Sequence, residues 1–465
     1  MPDAGPIAQR RSAIERLWVL ARQAESRSDW STALAAYRQA ETLDPGNPIF
    51  PTNLANVLWW ANRSHEPEAL SASERACALA PEDPLPWLGH GNLLRDRNSY
   101  GQAEMALRRS QELRNDPATA WNRSQVLLGL ECYEQAYALA ERRLELERLQ
   151  PFRPGPYWQG WPASNTPQPD KLPTRVCVWS EQGFGDTLQY VRWLLPLLRQ
   201  GVAVRLEVEG CLVRLMQQGL AWLPRAPEVV NKAAAPPLGL VQAPCQGSLL
   251  SLPHRLGGAP LTAAVFEPGG AGYLRSPLWQ QPPAGEPFGR SRRNRRPRVG
   301  LVWAAGRRFS DPFTTREYQR RSLPATELQA LLAGLQRQGA SLVGLQLGVD
   351  GERAGRWGRH LAARLPETSD FADTAHWIQH LDLLITVDTA YAHLAGAMGR
   401  PAWVLLPHGP DPRWLRQRAD SPWYPSLLLL RQPQPGKWEA VVDAVLERFE
   451  AWRQTAGAAM DQRSF

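Results

Sequence analysis

The sequence predicts an α-helical repeat array followed by two α/β domains, and three observations carry that prediction. Residues 14–150 repeat at a period near 34, with Trp87 and Trp121 34 positions apart and Ala69 and Ala103 likewise. A proline-rich stretch at 151–173 then ends the repeats. Beyond it a β-rich run, a polar turn and a helical stretch succeed one another several times, the pattern of strand, helix, strand units and parallel sheets. The 465 residues suffice for about three structural units at roughly 150 residues each.

Composition narrows the class. Apolar residues make up 43% and charged residues 21%, proportions ordinary for a folded chain, and the 42 Pro and 36 Gly are too dispersed for a collagen or a wholly disordered protein. The formal charge is +8, carried almost entirely by Arg, since Lys occurs only at Lys171, Lys232 and Lys437. Arg binds carboxylate and phosphate through a planar fork, although genome composition accounts for the bias equally well. Five Cys with no C-x-x-C pair argue against a disulfide framework or a thiolate zinc site, and reduced, mostly buried thiols are expected. The eight His are scattered and no D-x-D triplet occurs, so no metal and no cofactor are expected. No stretch approaches about eighteen uninterrupted apolar residues, and a cytoplasmic protein without a membrane span is expected.

Within the repeats, each regularly spaced Ala (Ala33, Ala69, Ala103, Ala136) lies in an amphipathic stretch such as Trp30-Ser-Thr-Ala-Leu-Ala-Ala-Tyr37-Arg-Gln-Ala40. Asp44-Pro45, Ala80-Pro81 and Asp116-Pro117 are each expected to end a helix, because Pro cannot continue the hydrogen-bond ladder. Small residues at helix contacts, an aromatic on each helix and a closing Pro resemble the tetratricopeptide repeat, in four units, with Ser73 and Leu107 where the second-helix aromatic is expected. Such a solenoid binds a peptide or protein partner, or else only braces the rest of the chain. The connector at 151–173 contains Tyr157-Trp158-Gln-Gly160-Trp161-Pro162, aromatic enough to dock on the domain that follows.

The first α/β domain spans 174–284, with a strand at 175–179, a turn at 183–186, a helix over 187–200 and a strand at 202–208. An Arg-rich linker at 285–297 precedes the second, 298–452, which has strands at 298–303 and 340–346 around a long polar loop and a helix over 325–338. Its clearest unit is the strand at 381–387, a turn and cap at Asp388-Thr389, a helix over 390–398 and a strand at 402–406. The loop after the first strand of such units lies at the carboxyl edge of the sheet, where open α/β folds bind ligands.

Two segments carry a family resemblance. Glu181-Gln182-Gly183-Phe184-Gly185-Asp186-Thr187-Leu188-Gln189-Tyr190-Val191-Arg192 resembles the E-Q-G-x-G-D-T-x-Q-F-x-R segment of bacterial tetratricopeptide-repeat proteins that carry a glycosyltransferase family 9-like domain. Val387-Asp388-Thr389-Ala390-Tyr391-Ala392-His393-Leu394-Ala395-Gly396-Ala397 resembles the V-D-T-x-x-x-H-L-A-G-A segment of the same group and of the related heptosyltransferases, and 411–414 and Asp420-Ser-Pro-Trp-Tyr-Pro425 look like its terminal segments. The resemblance implies a GT-B fold: two facing Rossmann-like domains, the first on the acceptor side and the second on the nucleotide-sugar side. It implies inverting, metal-independent transfer of a sugar from a nucleoside-diphosphate-sugar to a hydroxyl of a protein or glycan acceptor, with the repeats recruiting the acceptor or a protein partner.

That chemistry needs a base for the acceptor hydroxyl and positive potential for the departing diphosphate. Asp186 falls on the family's G-D aspartate and is the candidate base; the alternative is that it caps the following helix. On the donor side the start of the helix after Asp388 and Thr389 offers unpaired N–H groups and the positive dipole end. Thr389 adds a hydroxyl and Asp388 binds sugar hydroxyls or holds the turn. His393, one turn in, reaches the same anion or is a core histidine satisfied by a carbonyl. In the basic stretch 316–321, Arg320 or Arg321 takes the place of a phosphate-binding lysine of the related enzymes, or the stretch is a solvated loop. Gln182, Gly185 and Gln189 are assigned to the acceptor or cleft, with buried polar structure as the alternative for the glutamines. His408 and Asp411 are assigned to the same cleft, in a loop that otherwise just closes it. Two other classes compete: a catalytically inactive tetratricopeptide scaffold, and a nucleic-acid binder using Ser291-Arg-Arg-Asn-Arg-Arg-Pro-Arg298, which the absence of a nucleic-acid-binding motif disfavours.

Overall fold

A computed structural model describes residues 4–146, 158, 173–232, 245–257, 272–275, 296–306, 312–352, 358–367 and 369–462, with side chains from 7 to 454. Most of the 151–173 connector, and residues 285–295 of the Arg-rich linker with them 291–295 of the basic run, lie outside the described residues. The rest falls into two units: one drawn from Met1–Arg148, Arg307–Arg320 and His408–Arg416, the other from Leu149–Gly306, Arg321–Pro407 and Gln417–Phe465.

The first unit is a helical array: α1 (Ala4–Ser26), α2 (Trp30–Leu43), α3 (Ile49–Trp60), α4 (Pro67–Leu79), α5 (Pro84–Asp96), α6 (Tyr100–Leu113), α7 (Pro117–Gly129) and α8 (Tyr133–Ala140). The repeat is visible in the backbone itself. Ser28, Asn62, Asn98 and Glu131, in the turn inside each of the four helix pairs, all adopt left-handed φ, between 57° and 63°. Small residues at the second helices, Ala33, Ala69, Ala103 and Ala136 among them, are buried and let helices approach closely. The two missing aromatics are replaced by other means. Leu107 fills a notch at Gly91, where any Cβ would overlap it, and the buried Ser73 hydroxyl donates to the Leu70 carbonyl and lies 2.8 Å from His90 Nδ1.

Asp29, Asp83 and Asp116 cap α2, α5 and α7 by accepting backbone N–H groups of Thr32, Leu85 and Thr119. Here one expectation is corrected: Pro117 does not end a helix but opens α7. At the first helical position the missing N–H costs nothing and the fixed φ suits the helix, as with Pro84 in α5.

The same unit contains the helix Pro312–Arg321 up to Arg320, and the stretch His408–Arg416. The basic stretch 316–321 is therefore helical, correcting the expected loop, and Arg316 is not solvated: it is 1% exposed. Its Nε donates to the Trp59 carbonyl at 2.7 Å, its guanidinium lies 4.1 Å over the Trp59 ring, and it is paired with the buried Asp96 and with Glu317. Burial pulls its pKa down, as expected for a cation taken out of water. Arg320 pairs with Glu317 and donates to the carbonyl of Gly409, which is pressed against the Asp96 backbone. Trp414, in a short turn at Pro412–Trp414 that packs on α7, is fully buried. Helices α3, α5 and α7, the first helices of their pairs, thus hold two segments of their own chain.

The second unit has two all-parallel sheets. The first consists of β1 (Arg175–Trp179), α9 (Phe184–Tyr190), α10 (Leu194–Arg199), β2 (Ala203–Val208), α11 (Gly210–Gly219), β3 (Glu228–Asn231), β4 (Cys245–Ser248) and α12 (Leu252–Arg255), with strand order β3-β2-β1-β4. The expected single helix over 187–200 is split into α9 and α10, because Pro196 has no N–H to continue the ladder. Trp158, from the aromatic connector, is buried, and its N–H donates to the Gln246 carbonyl of β4 at 2.8 Å.

The second sheet follows from β5 (Arg298–Val302), α13 (the helix Pro312–Arg321), α14 (Ala325–Arg337), β6 (Ser341–Gly344), α15 (Val349–Glu352), β7 (Ala363–Arg364), α16 (Phe371–Gln379), β8 (Leu383–Val387), α17 (Ala390–Ala397), β9 (Ala402–Leu406), β10 (Leu427–Arg431) and α18 (Trp438–Gln462). Its order is β10-β9-β8-β5-β6-β7. Every residue of β8 and β9 is buried, as parallel strands covered on both faces should be. None of the five thiols is in a disulfide; Cys77 and Cys177 are buried, Cys211 and Cys245 half-buried and Cys132 exposed, so burial is less general than expected. Among the described residues no helix is long and apolar enough to cross a membrane.

Candidate functional site

In both sheets the chain starts in the middle, winds outward one way and then returns to wind the other way. The reversal falls between β1 and β4 in the first sheet and between β5 and β8 in the second. At such a point the loops leaving neighbouring strands diverge and open a crevice at the carboxyl edge, which is where doubly wound sheets take ligands. Both segments singled out in the sequence sit there: Glu181 to Asp186 leaves β1, and Asp388-Thr389 leaves β8.

At the first edge, Glu181 is buried and accepts a hydrogen bond from Ser248 at the end of β4, closing the gap between the two diverging strands. Gln182 is exposed and held at φ 63°, a left-handed conformation that costs a non-glycine residue about 1 kcal/mol and aims the next turn. Asp186 is half-buried at the third position of α9, where its Oδ2 accepts the Gly183 N–H at 2.9 Å, a bond that caps the helix start as the alternative reading expects. Gln189 is buried within α9.

At the second edge, Asp388 is buried and Arg321, at the end of α13, lies 3.7 Å from its Oδ2. The Arg321 side chain remains 28% exposed. Thr389 caps α17 by position, with its hydroxyl 3.0 Å from that of Thr386. The loop leaving β5 is pinned by side chains: Gln346 accepts from the N–H groups of Trp303 and Ala304, and Ser322, next to Arg321, accepts from Ala305.

The two edges meet. A Cβ on Gly185 would lie 2.8 Å from Cδ2 and 3.4 Å from Nε2 of His393, so only glycine lets the Asp186 turn rest on that imidazole. His393 is 3% exposed, as a core histidine would be, and its Nδ1 is 2.9 Å from the hydroxyl of Tyr424. Further clamps join the same two halves. Phe184 meets Phe371 edge-on, and Arg214 of α11 pairs with Asp370 at 2.8 Å and Asp373 at 2.6 Å at the start of α16. Burial tends to raise the Asp370 pKa, but the Arg214 hydrogen bonds and the Asp373 and Ala372 N–H groups outweigh it and hold the carboxyl below its ordinary value.

The structure thus brings together Gly185 with His393, and Arg321 with Asp388. His408 and Asp411 belong to the helical unit, where Asp411 accepts the Arg413 N–H at 3.0 Å and pairs with its guanidinium at 2.8 Å. Arg320 belongs there too. Two residues of the quoted segments to which the sequence assigns no role lie beside this contact: Tyr424, whose hydroxyl meets His393 Nδ1, and the fully buried Arg192, whose guanidinium lies over the Tyr424 ring. Their signal is position alone, Arg192 one helix length after the G-D pair and Tyr424 in the terminal aromatic segment.

No family model matches the chain, and no curated protein matches it. Solved structures similar to it are tetratricopeptide-type proteins. The MamA protein is 14% identical with a TM-score of 0.27, over 29% of this chain and 74% of its own. TTC0263, a TPR protein of Thermus thermophilus, is 19% identical with a TM-score of 0.27, over 30% and 75%. The Sgt2 TPR domain from Aspergillus fumigatus is 22% identical with a TM-score of 0.24, over 25% and 79%.

Proposed function

We propose that the chain is a glycosyltransferase of the GT-B type that moves a sugar from a nucleoside-diphosphate-sugar to a hydroxyl acceptor, with inversion and without a metal. The observation that carries this reading is the meeting of two switch-point edges at Gly185 and His393, which sets a carboxylate turn against a helix start flanked by an arginine. In the proposed step Asp186 takes the proton of the acceptor hydroxyl as its oxygen bonds to the anomeric carbon. The bond from that carbon to the diphosphate oxygen breaks on the opposite face, and the electron pair leaves with the diphosphate. Arg321 and the first N–H groups of α17 stabilise the charge that develops. Asp388 holds Arg321 at the edge. The helical repeats recruit a protein acceptor or partner.

A thermal-shift panel of ADP, UDP, GDP, CDP and their sugar conjugates, without and with magnesium, tests the reading. A ligand at about 100 times its Kd adds roughly 2.7 kcal/mol to the native state, a shift of several degrees. One nucleotide should stabilise the chain without metal. In Arg321→Ala its affinity should fall about tenfold or more, the loss of one charge-assisted bond. Silence across the panel at millimolar concentration would favour the inactive scaffold, a reading that the burial of Asp388 and His393 and the bond tying Asp186 to its own helix start also support.

A further inference from the structure

We propose that Gln346 is a positioning residue that sets Arg321 for the diphosphate by holding the loop that leaves β5; the consequence for donor binding rests on the transferase reading. The reversal of the second sheet falls between β5 and β8, so residues 303–305, which follow β5, border the crevice at its carboxyl edge. Trp303, Ala304 and Ala305 are all buried, and buried backbone N–H groups need acceptors. The neighbouring strand no longer supplies them. Regular pairing of β5 with β6 ends at Leu301 and Gly344, and one further bond runs from the Leu345 N–H to the Leu301 carbonyl at 2.9 Å.

Side chains take over where the strands diverge. Gln346, two residues past the end of β6, accepts the Trp303 N–H at 3.1 Å and the Ala304 N–H at 2.9 Å on one atom. Both partners are donors, so the atom facing them is the amide oxygen, and the amide nitrogen is turned to the Leu347 carbonyl at 3.5 Å. The third N–H, that of Ala305, donates to the Ser322 hydroxyl at 3.0 Å, and the Leu323 N–H returns a bond to the Trp303 carbonyl at 2.9 Å. Residues 322–323 are therefore tied to 303–305 at two points, and Arg321 is the residue immediately before them. Its guanidinium lies 3.4 Å from the Asp388 carbonyl oxygen and 3.7 Å from the Asp388 carboxylate, just past the end of β8 on the other side of β5. The backbone that carries Arg321 is thus referred to the sheet through the 303–305 loop, and that loop is referred to β6 through Gln346. Such precision matters for a charge that must meet an anion, because a misplacement of about 1 Å can cost up to about 100-fold in rate. The competing role for Gln346 is only to close the end of the sheet, with no effect on Arg321.

Two measurements on the full chain test this: amide hydrogen exchange of residues 299–306 by mass spectrometry, and calorimetry with the nucleoside diphosphate that stabilises the chain. In Gln346→Leu, similar in bulk but without an acceptor, exchange at Trp303 and Ala304 should rise and nucleotide affinity should fall about tenfold. Gln346→Glu, whose carboxylate accepts the same two N–H groups, should keep exchange slow. Added to Arg321→Ala, Gln346→Leu should weaken binding by less than about twofold further, because the group it positions is already gone. Unchanged exchange in Gln346→Leu overturns the proposal. So does faster exchange with unchanged affinity, which would make Gln346 merely structural, and so does a loss of affinity that persists in full without Arg321. Should Gln346→Leu fail to fold, Ser322→Ala decides in its place: faster exchange at Ala305 with a several-fold weaker affinity, absent in the Arg321→Ala background, is expected, and unchanged affinity overturns the proposal. A wild type that binds no nucleotide overturns the transferase reading and the consequence for donor binding, and exchange still decides whether Gln346 holds the loop.

Discussion

Asp186→Asn is expected to slow sugar transfer by about 10²- to 10⁴-fold, the range associated with a positioned general base, while leaving nucleotide affinity within about twofold. The substitution is chosen for what it preserves. Asp186 Oδ2 accepts the Gly183 N–H, and an Asn carbonyl oxygen accepts the same bond, so the turn beneath Gly185 keeps its shape and its seat on His393. What is lost is the ability to take a proton. Release of nucleoside diphosphate and calorimetric donor binding, measured on the same preparation, separate the two effects. Equal loss of both would make Asp186 a structural cap, and an unchanged rate would remove it from the chemistry.

The second large effect is on stability. Asp96→Ala should destabilise the helical unit by about 3 kcal/mol, because it leaves the guanidinium of Arg316 buried with its closest counter-charge removed. Glu317 is retained in this variant and limits the loss. Replacing both partners, Asp96→Leu with Arg316→Met, should recover most of it, since two apolar groups in the same volume leave no charge to desolvate. Urea denaturation of the full chain, followed by far-ultraviolet circular dichroism, checks both. A loss in Asp96→Ala below about 1 kcal/mol, the scale of an exposed pair, would mean that the ion pair is solvated.

The elements that can be read from the sequence are those whose cause is local. The capping Asp residues and the repeated Ala positions mark helix starts and contacts within a few residues of where they act, and the apolar runs at 298–302 and 383–387 mark strands buried on both faces. Pro117 misleads because Asp-Pro is equally a helix stop and a helix start, and only the length of the preceding loop separates the two. Strand order leaves no local trace: β3, β4 and β7 are two to four residues long, and their places depend on crossovers. The candidate site divides the same way. The segments are visible as motifs, but Arg316 meets Asp96 across 220 residues and Arg192 meets Trp423 across 231, and no periodicity reports such a partner. For the same reason Arg316 resembles part of a charged loop in the sequence, and only the packing around His393 shows what Arg192 and Tyr424 touch.

In the proposed transferase, the carboxyl edge of the second sheet holds the diphosphate of a sugar donor. A crystal structure of the full chain with the nucleoside diphosphate selected by the thermal-shift panel tests it most directly. The diphosphate is expected between the Arg321 guanidinium and the N–H groups at the start of α17, beside the Gly185–His393 contact. A nucleotide bound anywhere else, or an edge that stays empty at saturating nucleotide, would contradict it.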